Sequence, residues 1–566
     1  MSDMPPFKPA SLPAPAEPGI ATGAEEEALE PTGSLRMARL REAIDGPTIK
    51  PLFRESLRGD PPPGLSEEFR VQSFWRGLLS YTGPGFLVAM AYMDPGNLAS
   101  DINQGAVVGY SITWVTVWST VLGFIMQMVA ARLGMTTRQD LAQHVRAEYN
   151  STTRTLLWMF VEVGILTCDM VEVIGGACAL SALSGGAIPM WAGVLITGAT
   201  AFMCLALESV GMRYLEFLLM LLIACMSGTF LYLFIDTHVD YIATLKGIAI
   251  PLVPDGTIQY IAGAVGAIIM PHNLYLHSAL MIARSKESKV THERALTYVK
   301  IETGIGLFIS VFINIFVIAV FASAFYTSTG AANVGIGNAG ALLGASFGAG
   351  VRIIWGVGLL AAANASTVTS TYAGQVVMDG FMGWKVNKWY RVAGTRLLTL
   401  GPTLCIATLL RGADQSLNSL TNWLNIAQSL VLPFVVIPMI VICSKSRVMG
   451  PDALSGWFFI FMILFTLVLV AMNGYLAVDF ILAVFPDQPW GKAVFSIIVI
   501  PYGVFMIVLA LGQERMAAWA GAVSTRVKHM FAAAQAPIPK PTTMDEADKD
   551  SDAIKDEPSP ASELPK

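Results

Sequence analysis

Apolar runs of about twenty residues recur along the chain from position 78 to position 513, separated by short polar stretches. Twelve can be read: 78–105, 108–131, 155–184, 187–207, 212–235, 257–283, 302–326, 350–381, 393–410, 421–443, 455–481 and 493–513. A helix needs roughly 20 predominantly apolar residues to cross the hydrocarbon core of a bilayer, and several runs meet or exceed that length. The pattern predicts an all-α polytopic membrane protein with about twelve transmembrane helices.

The first and sixth runs differ from the others. Each is interrupted mid-way by proline beside polar residues: Asp94-Pro95-Gly96-Asn97 in one, Met270-Pro271-His272-Asn273 in the other. Proline lacks a backbone donor and frees a carbonyl on the preceding turn. In lipid such a break is tolerated only where protein or a water-filled cavity satisfies it. Matching breaks in two five-span halves point to a transport site near the bilayer midplane. Because five is odd, the halves have opposite topology. The expected core is thus a 5+5 inverted repeat over 76–443, with spans eleven and twelve appended over 444–513.

The placement of Lys and Arg sets the orientation. With the N-terminus cytosolic, inner loops hold Arg132, Arg138, Arg146, Arg154, Arg213, the 284–300 cluster, Lys385, Lys388, Arg391, Lys445 and Arg447. Outer loops hold Lys246, Arg411 and Lys492, with Arg352 at the edge of span eight. Both termini are therefore expected in the cytosol.

Composition agrees: 54% of residues are hydrophobic and 14% charged, against about 25% charged in soluble domains. The net charge of −5 owes much to acidic tails and says little about partners. Six single cysteines without a C-x-x-C pair suggest neither a disulfide framework nor a zinc site. The Pro-, Glu-, Ala- and Gly-rich stretch 1–75 lacks the pattern of a cleavable signal. It is expected to be a disordered cytosolic tail, as is most of 514–566; the basic segment Leu35–Arg54 reads as solvated, with a surface helix as the alternative.

The chemistry converges on the two breaks. Asp94 is an ionisable residue deep in an apolar span, costly unless functional; the structural alternative is a helix cap or an ion pair. Asn97 follows at a spacing that lets both side-chain oxygens face one point. Met270 brings a thioether from the opposite break. Mg²⁺ and Ca²⁺ prefer all-oxygen shells, whereas sulfur favours later first-row metals. In the third span Glu162, Asp169 and Glu172 are spaced by seven and three residues, close to one helical face. Such a row suits a proton relay, although Glu162 alone also fits a solvated position at the interface.

The segments M-D-P-G-N-L-A-S-D and I-I-M-P-H-N-L-Y-L-H-S-A-L resemble the NRAMP/divalent metal transporter family. So do V-E-V-I-G at 171–175, T-Y-A-G-Q-V-V-M at 371–378 and N-I-A-Q-S-L-V-L-P-F at 425–434. The resemblance runs over about 76–445, and more loosely to 513. It implies a LeuT-like fold and proton-coupled uptake of Mn²⁺, Fe²⁺ or similar ions into the cytosol by alternating access. It implies metal-binding side chains at Asp94, Asn97 and Met270, carbonyl ligands at Ala267 and Ala91, and a closing glutamine at Gln428. For protons it implies a path through Asp94, His272, Glu162, Asp169 and Glu172, with Arg396 as partner. Thr395 departs from members with a second arginine there, and Ala363-Asn364-Ala365-Ser366 departs from the usual span-eight stretch. His277 reads as structural, and the remaining histidines as loop or tail residues.

The expected ligands are therefore metal ions and protons in a lipid bilayer, of the plasma membrane or an acidic compartment. No cofactor, nucleic-acid partner or enzymatic activity is expected, and the resemblance implies a monomer. The alternatives are a Mg²⁺ transporter of the same superfamily, a Na⁺-coupled organic-solute carrier on the same architecture, and a non-transporting receptor with an NRAMP-like membrane domain.

Overall fold

The computed structural model describes residue 78 and residues 91–210, 212–237, 239–287, 292–384, 387–409, 414–484 and 500–510. Both tails, including Leu35–Arg54, lie outside these residues, as do 79–90 of the first predicted span and both ends of the twelfth.

Among the described residues the secondary structure is helical, and every predicted span falls on helix. A 3₁₀ turn at Ala91–Met93 and α1 (Pro95–Asn103) make the broken first span. Then come α2 (Thr113–Thr137), a short α3 (Leu141–Glu148), α4 (Ser151–Leu183), α5 (Met190–Val210) and α6 (Met212–Asp236). A second short helix, α7 (Tyr241–Ala249), precedes the broken sixth span, α8 (Ile258–Ile268) and α9 (Pro271–Glu287). The second half continues with α10 (His292–Phe325), the short α11 (Ala339–Phe347), α12 (Ala349–Met382), α13 (Lys388–Leu409) and α14 (Asp414–Cys443). A turn of helix, α15 (Ser446–Met449), leads to α16 (Gly456–Val484), and α17 (Ile500–Ala510) is the described part of the last span. Among the described residues eight stretches are long and apolar enough to cross a membrane by length and composition, the broken sixth span counting as one of them (Ile258–Ile282), and Met190–Thr200 and Ile500–Ala510 are shorter apolar helices.

Two differences from the sequence expectation have one cause. α10 begins ten residues before the predicted start at 302 and α14 seven before 421. Polar residues in these first turns, Arg294 and Lys300 among them, are exposed helical positions rather than loop. Hydropathy registers where a helix turns apolar, not where it starts.

Small residues set how closely the helices approach. A Cβ at Gly266 of α8 would lie 2.1 Å from the Asn425 carbonyl oxygen and 2.6 Å from the Ser429 nitrogen of α14. At Gly175 of α4 it would lie 2.3 Å from the Pro95 ring, and at Gly105, beyond α1, 2.4 Å from the Ile318 carbonyl of α10. The breaks are thus clamped between helices at backbone contact, the mode expected where lipid supplies no hydrophobic drive between spans. Ion pairs gather at the end bearing the basic loops: Arg132 with Asp452, and Lys445 and Arg447 both with Glu148.

Candidate metal site and buried acidic path

At the first break, Asp94 sits in extended backbone (φ −82°, ψ 168°) as N-cap of α1, with Pro95 at the first helical position. Its carboxylate accepts from the backbone N–H of Asn97 (2.8 Å) and of Gly96 (3.0 Å). Pro95 and Pro271 occupy equivalent places. The helical donors for the carbonyls of Ala91 and Ala267 would come from residues four further on, and both are these prolines. The two backbone ligands implied by the resemblance therefore share one structural origin.

At the second break the chain leaves α8 through Ile269 (φ −98°, ψ 77°). Met270, 2% exposed, follows, and its sulfur accepts from the Asn273 amide at 3.2 Å. α14 joins the two breaks. Asn425 donates to the Gly96 carbonyl at 2.9 Å, while the Asn425–Ser429 backbone lies against Gly266. Gln428 is in that same stretch. Both polar side-chain atoms of Gln428, and both of Asn97, are fully buried with no hydrogen-bond partner. Buried amides are normally satisfied; four unpartnered atoms on α1 and α14, beside two proline breaks, are what a site for a polar guest requires.

The third-span acids are each engaged. Glu162 accepts from Arg391 (2.9 Å) and from the Trp158 indole (3.0 Å). Asp169 accepts from Ser370 (2.8 Å) and lies 3.7 Å from Arg396. Glu172, fully buried, accepts from Ser366 (2.5 Å), Thr367 (3.2 Å) and Ser370 (3.1 Å). The acids thus form one row along α4, facing α12 and α13, and three residues beyond Glu172 the same helix packs through Gly175 against Pro95 at the first break. His272 is buried with its Nδ1 unpartnered, and His277 bonds Gln127 through Nδ1 at 2.9 Å. The structural reading of His277 fits that bond.

Several residues here carried no role in the sequence reading. Arg391, expected in an inner loop, lies within α13, is 8% exposed and pairs with Glu162, so Glu162 is not simply solvated. Ser366, Thr367 and Ser370 form a hydroxyl rail on α12 for Asp169 and Glu172; the run Ser-Thr-Val-Thr-Ser-Thr at 366–371, inside a membrane span, was the available signal. Asp101, within the first motif, is buried with both carboxylate oxygens unpartnered. Among the described residues no three His, Cys, Asp or Glu side chains converge as metal ligands; the candidate site rests on one carboxylate with amide, carbonyl and thioether groups.

Fold and site together define a polytopic transporter of LeuT-like architecture. A family model described as "Natural resistance-associated macrophage protein-like" matches residues 85–479. "Metal transporter Nramp2" of Arabidopsis thaliana is 40% identical over 469 residues, 81% of this chain and 84% of that protein. The "Metal transporter nramp1 homolog" of Dictyostelium discoideum is also 40% identical, over 81% of this chain and 84% of its own. A crystal structure of the Eremococcus coleocola manganese transporter superposes with a TM-score of 0.68 at 28% identity, covering 78% of this chain and 94% of that one. The chain belongs to the Nramp family and is an integral membrane protein.

Proposed function

We propose that this protein is a proton-coupled symporter that moves Mn²⁺, Fe²⁺ or a similar divalent transition metal into the cytosol by alternating access. The observation that carries the reading is the junction at α14. Asp94 and Asn97 sit at one proline break and Ala267 and Met270 at the other, while Gln428 lies on the helix packed against both. In the arrangement described here Asp94 caps its own helix, so cargo would take over carboxylate oxygens that now accept from two backbone N–H groups. Asn97 and Gln428 would supply oxygens that now bond nothing, and the carbonyls of Ala91 and Ala267 would complete the shell in different states. Met270 would add the sulfur that disfavours Mg²⁺ and Ca²⁺.

Protons would leave along α4. Glu172, Asp169 and Glu162 lie in sequence down one face, with Arg396 and Arg391 as counter-charges and the α12 hydroxyls as bridges. Asp94 and His272 would feed protons into the head of that row. Both termini would be cytosolic, in the plasma membrane or an acidic compartment, and the working unit would be the monomer.

Names of relatives favour metal cargo: those quoted are metal transporters, and the solved neighbour is a manganese transporter. A Na⁺-coupled organic-solute carrier would aim half-helix N-termini at a substrate carboxylate; here the N-terminus of α1 is already occupied by the carboxylate of Asp94. Calorimetry on the purified protein separates the two. Mn²⁺ is expected to release binding heat with the wild type and none with Asp94→Ala, and amino acids none with either. Undiminished Mn²⁺ binding by Asp94→Ala would overturn the assignment.

A further inference from the structure

Helix α16 lies outside the ten spans of the inverted repeat and faces the bilayer along much of its length, with Ile460, Leu464, Leu467 and Val468 exposed. Its buried stripe is Met462, Thr466, Leu469, Asn473 and Leu476, spaced by four and three residues. Thr466 bonds back to the Met462 carbonyl of its own helix. Asn473, 1% exposed, reaches across to Ser429 of α14 in both directions. Its amide donates to the Ser429 carbonyl at 2.8 Å, and its side-chain oxygen accepts from the Ser429 hydroxyl at 3.0 Å. The Ser429 carbonyl needs such a donor. Within a helix its partner would be the N–H of the residue four further on, and that residue is Pro433. The proline ring also crowds this carbonyl, so α14 loses a bond and bends at the turn that follows Gln428. Gln428 itself is fully buried, with both polar side-chain atoms unpartnered. One turn earlier Asn425 bonds the Gly96 carbonyl, and the backbone of both Asn425 and Ser429 lies against Gly266.

We propose that Asn473 is a positioning residue for the metal site: from α16 it holds the turn of α14 that Pro433 leaves without its helical bond, and so fixes the backbone that carries Gln428. The inference rests on the reading of Gln428 as a metal ligand given above. Asn425 ties this stretch to the first break and Asn473 ties it to α16. The Gln428 side chain is thereby left to turn toward cargo on a backbone held from two sides. A ligand must be held to within about 0.5 Å for its contribution to be realised. In lipid, where apolar packing gives helices little mutual direction, polar bonds between spans are a means of setting that position. Helix α16 thus contributes to cargo binding without touching the cargo.

The test is Mn²⁺ calorimetry on the purified full chain with Asn473→Leu, Gln428→Ala and the two combined, alongside thermal melts. Asn473→Leu is close in shape and removes both bonds. It is expected to weaken Mn²⁺ binding about three- to twenty-fold, the range that polar bonds between spans cover. Gln428→Ala is expected to weaken binding as well, and adding Asn473→Leu to it should cost nothing further, since the ligand being positioned is gone. A merely structural role would give the same loss in both backgrounds, and that result would overturn the proposal. Ser429→Ala removes only the hydroxyl half of the pair and serves if the melts show that Asn473→Leu does not fold. It is expected to weaken binding about three-fold, again only where Gln428 is present; in that case no loss, or an equal loss without Gln428, would overturn the proposal. Unchanged affinity in a folded Asn473→Leu, or in Gln428→Ala, would overturn it while leaving the metal site at Asp94 standing. Absence of Mn²⁺ binding by the wild type would overturn both.

Discussion

In the proposed site Asp94 and Met270 would have different tasks. A carboxylate supplies charge for any divalent cation; a thioether supplies selectivity, because hard ions gain little from sulfur. Met270 is held in place by the Asn273 amide at its sulfur, so the lone pairs are already oriented. The thioether leaves a spectroscopic trace. X-ray absorption at the manganese edge of the loaded protein is expected to show a sulfur scatterer that disappears in Met270→Ala, with Ca²⁺ and Mg²⁺ becoming better competitors. A shell of oxygen alone in the wild type would contradict this role. At this scale the sequence showed the residues that break a helix or place charge in lipid, since both are costly enough to stand out. It did not show the partners. Glu172 meets Ser366 across 194 residues and Asn425 meets Gly96 across 329. Within the hydroxyl run 366–371 nothing in the sequence tells which side chains face a carboxylate, as Ser366 and Thr367 do, and which bond their own helix, as Thr369 and Thr371 do.

The elements were legible because the membrane leaves few choices: a spanning segment must satisfy its own backbone, so a helix follows from apolarity and length. The short helices α3, α7 and α11 were read as loops because they carry no long apolar run. α3 is fixed instead by a capping box, in which the Asp140 carboxylate accepts from the Gln143 N–H at 2.8 Å and the Gln143 side chain accepts from the Asp140 N–H. Burial, and secondarily the nearby Asp379, pushes the Asp140 carboxyl up from 3.8 to about 6, against its cap hydrogen bonds. Because the folded value is raised, ionisation weakens the fold progressively as pH rises from about 4 through 6, by about 3 kcal/mol in full. Asp140→Asn keeps the cap geometry and removes the charge. It is expected to raise the thermal midpoint in detergent at pH 8, the gain shrinking as pH falls toward 4; a gain independent of pH would count against the burial argument.

Helix contact gives a second prediction at this scale. Gly266→Ala places a methyl 2.1 Å from a backbone carbonyl of α14, which can relieve it only by moving the helix. Overpacking of this kind costs about 1–3 kcal/mol, and the displaced helix carries Gln428. Gly228→Ala on α6 has nothing within 4 Å of the added methyl. Thermal melts and Mn²⁺ affinity are expected to fall for Gly266→Ala and to hold for Gly228→Ala. Equal behaviour of the two would show that the α8–α14 contact does not set the site.

For the whole molecule, the two breaks matter because they face one another within an inverted repeat, so a site at their junction can open to either side in turn. The row of acids on α4 starts three residues before Gly175, which packs against Pro95, and proceeds past Arg396 to Arg391; in the proposed mechanism it would give the site a second exit for protons. The architecture was legible from two motifs and a count of spans, and Arg396 from the family resemblance, whereas Arg391 as a second counter-charge on α13 became visible only once α4 and α13 were packed together. The most direct test is uptake of a metal panel by proteoliposomes containing the full chain, with an imposed pH gradient and an internal pH dye. Mn²⁺ and Fe²⁺ are expected to enter faster when the outside is acidic, acidifying the lumen as they do, with Mg²⁺ excluded. Uptake of Mg²⁺ on a par with Mn²⁺, or Mn²⁺ entry without acidification, would contradict the account.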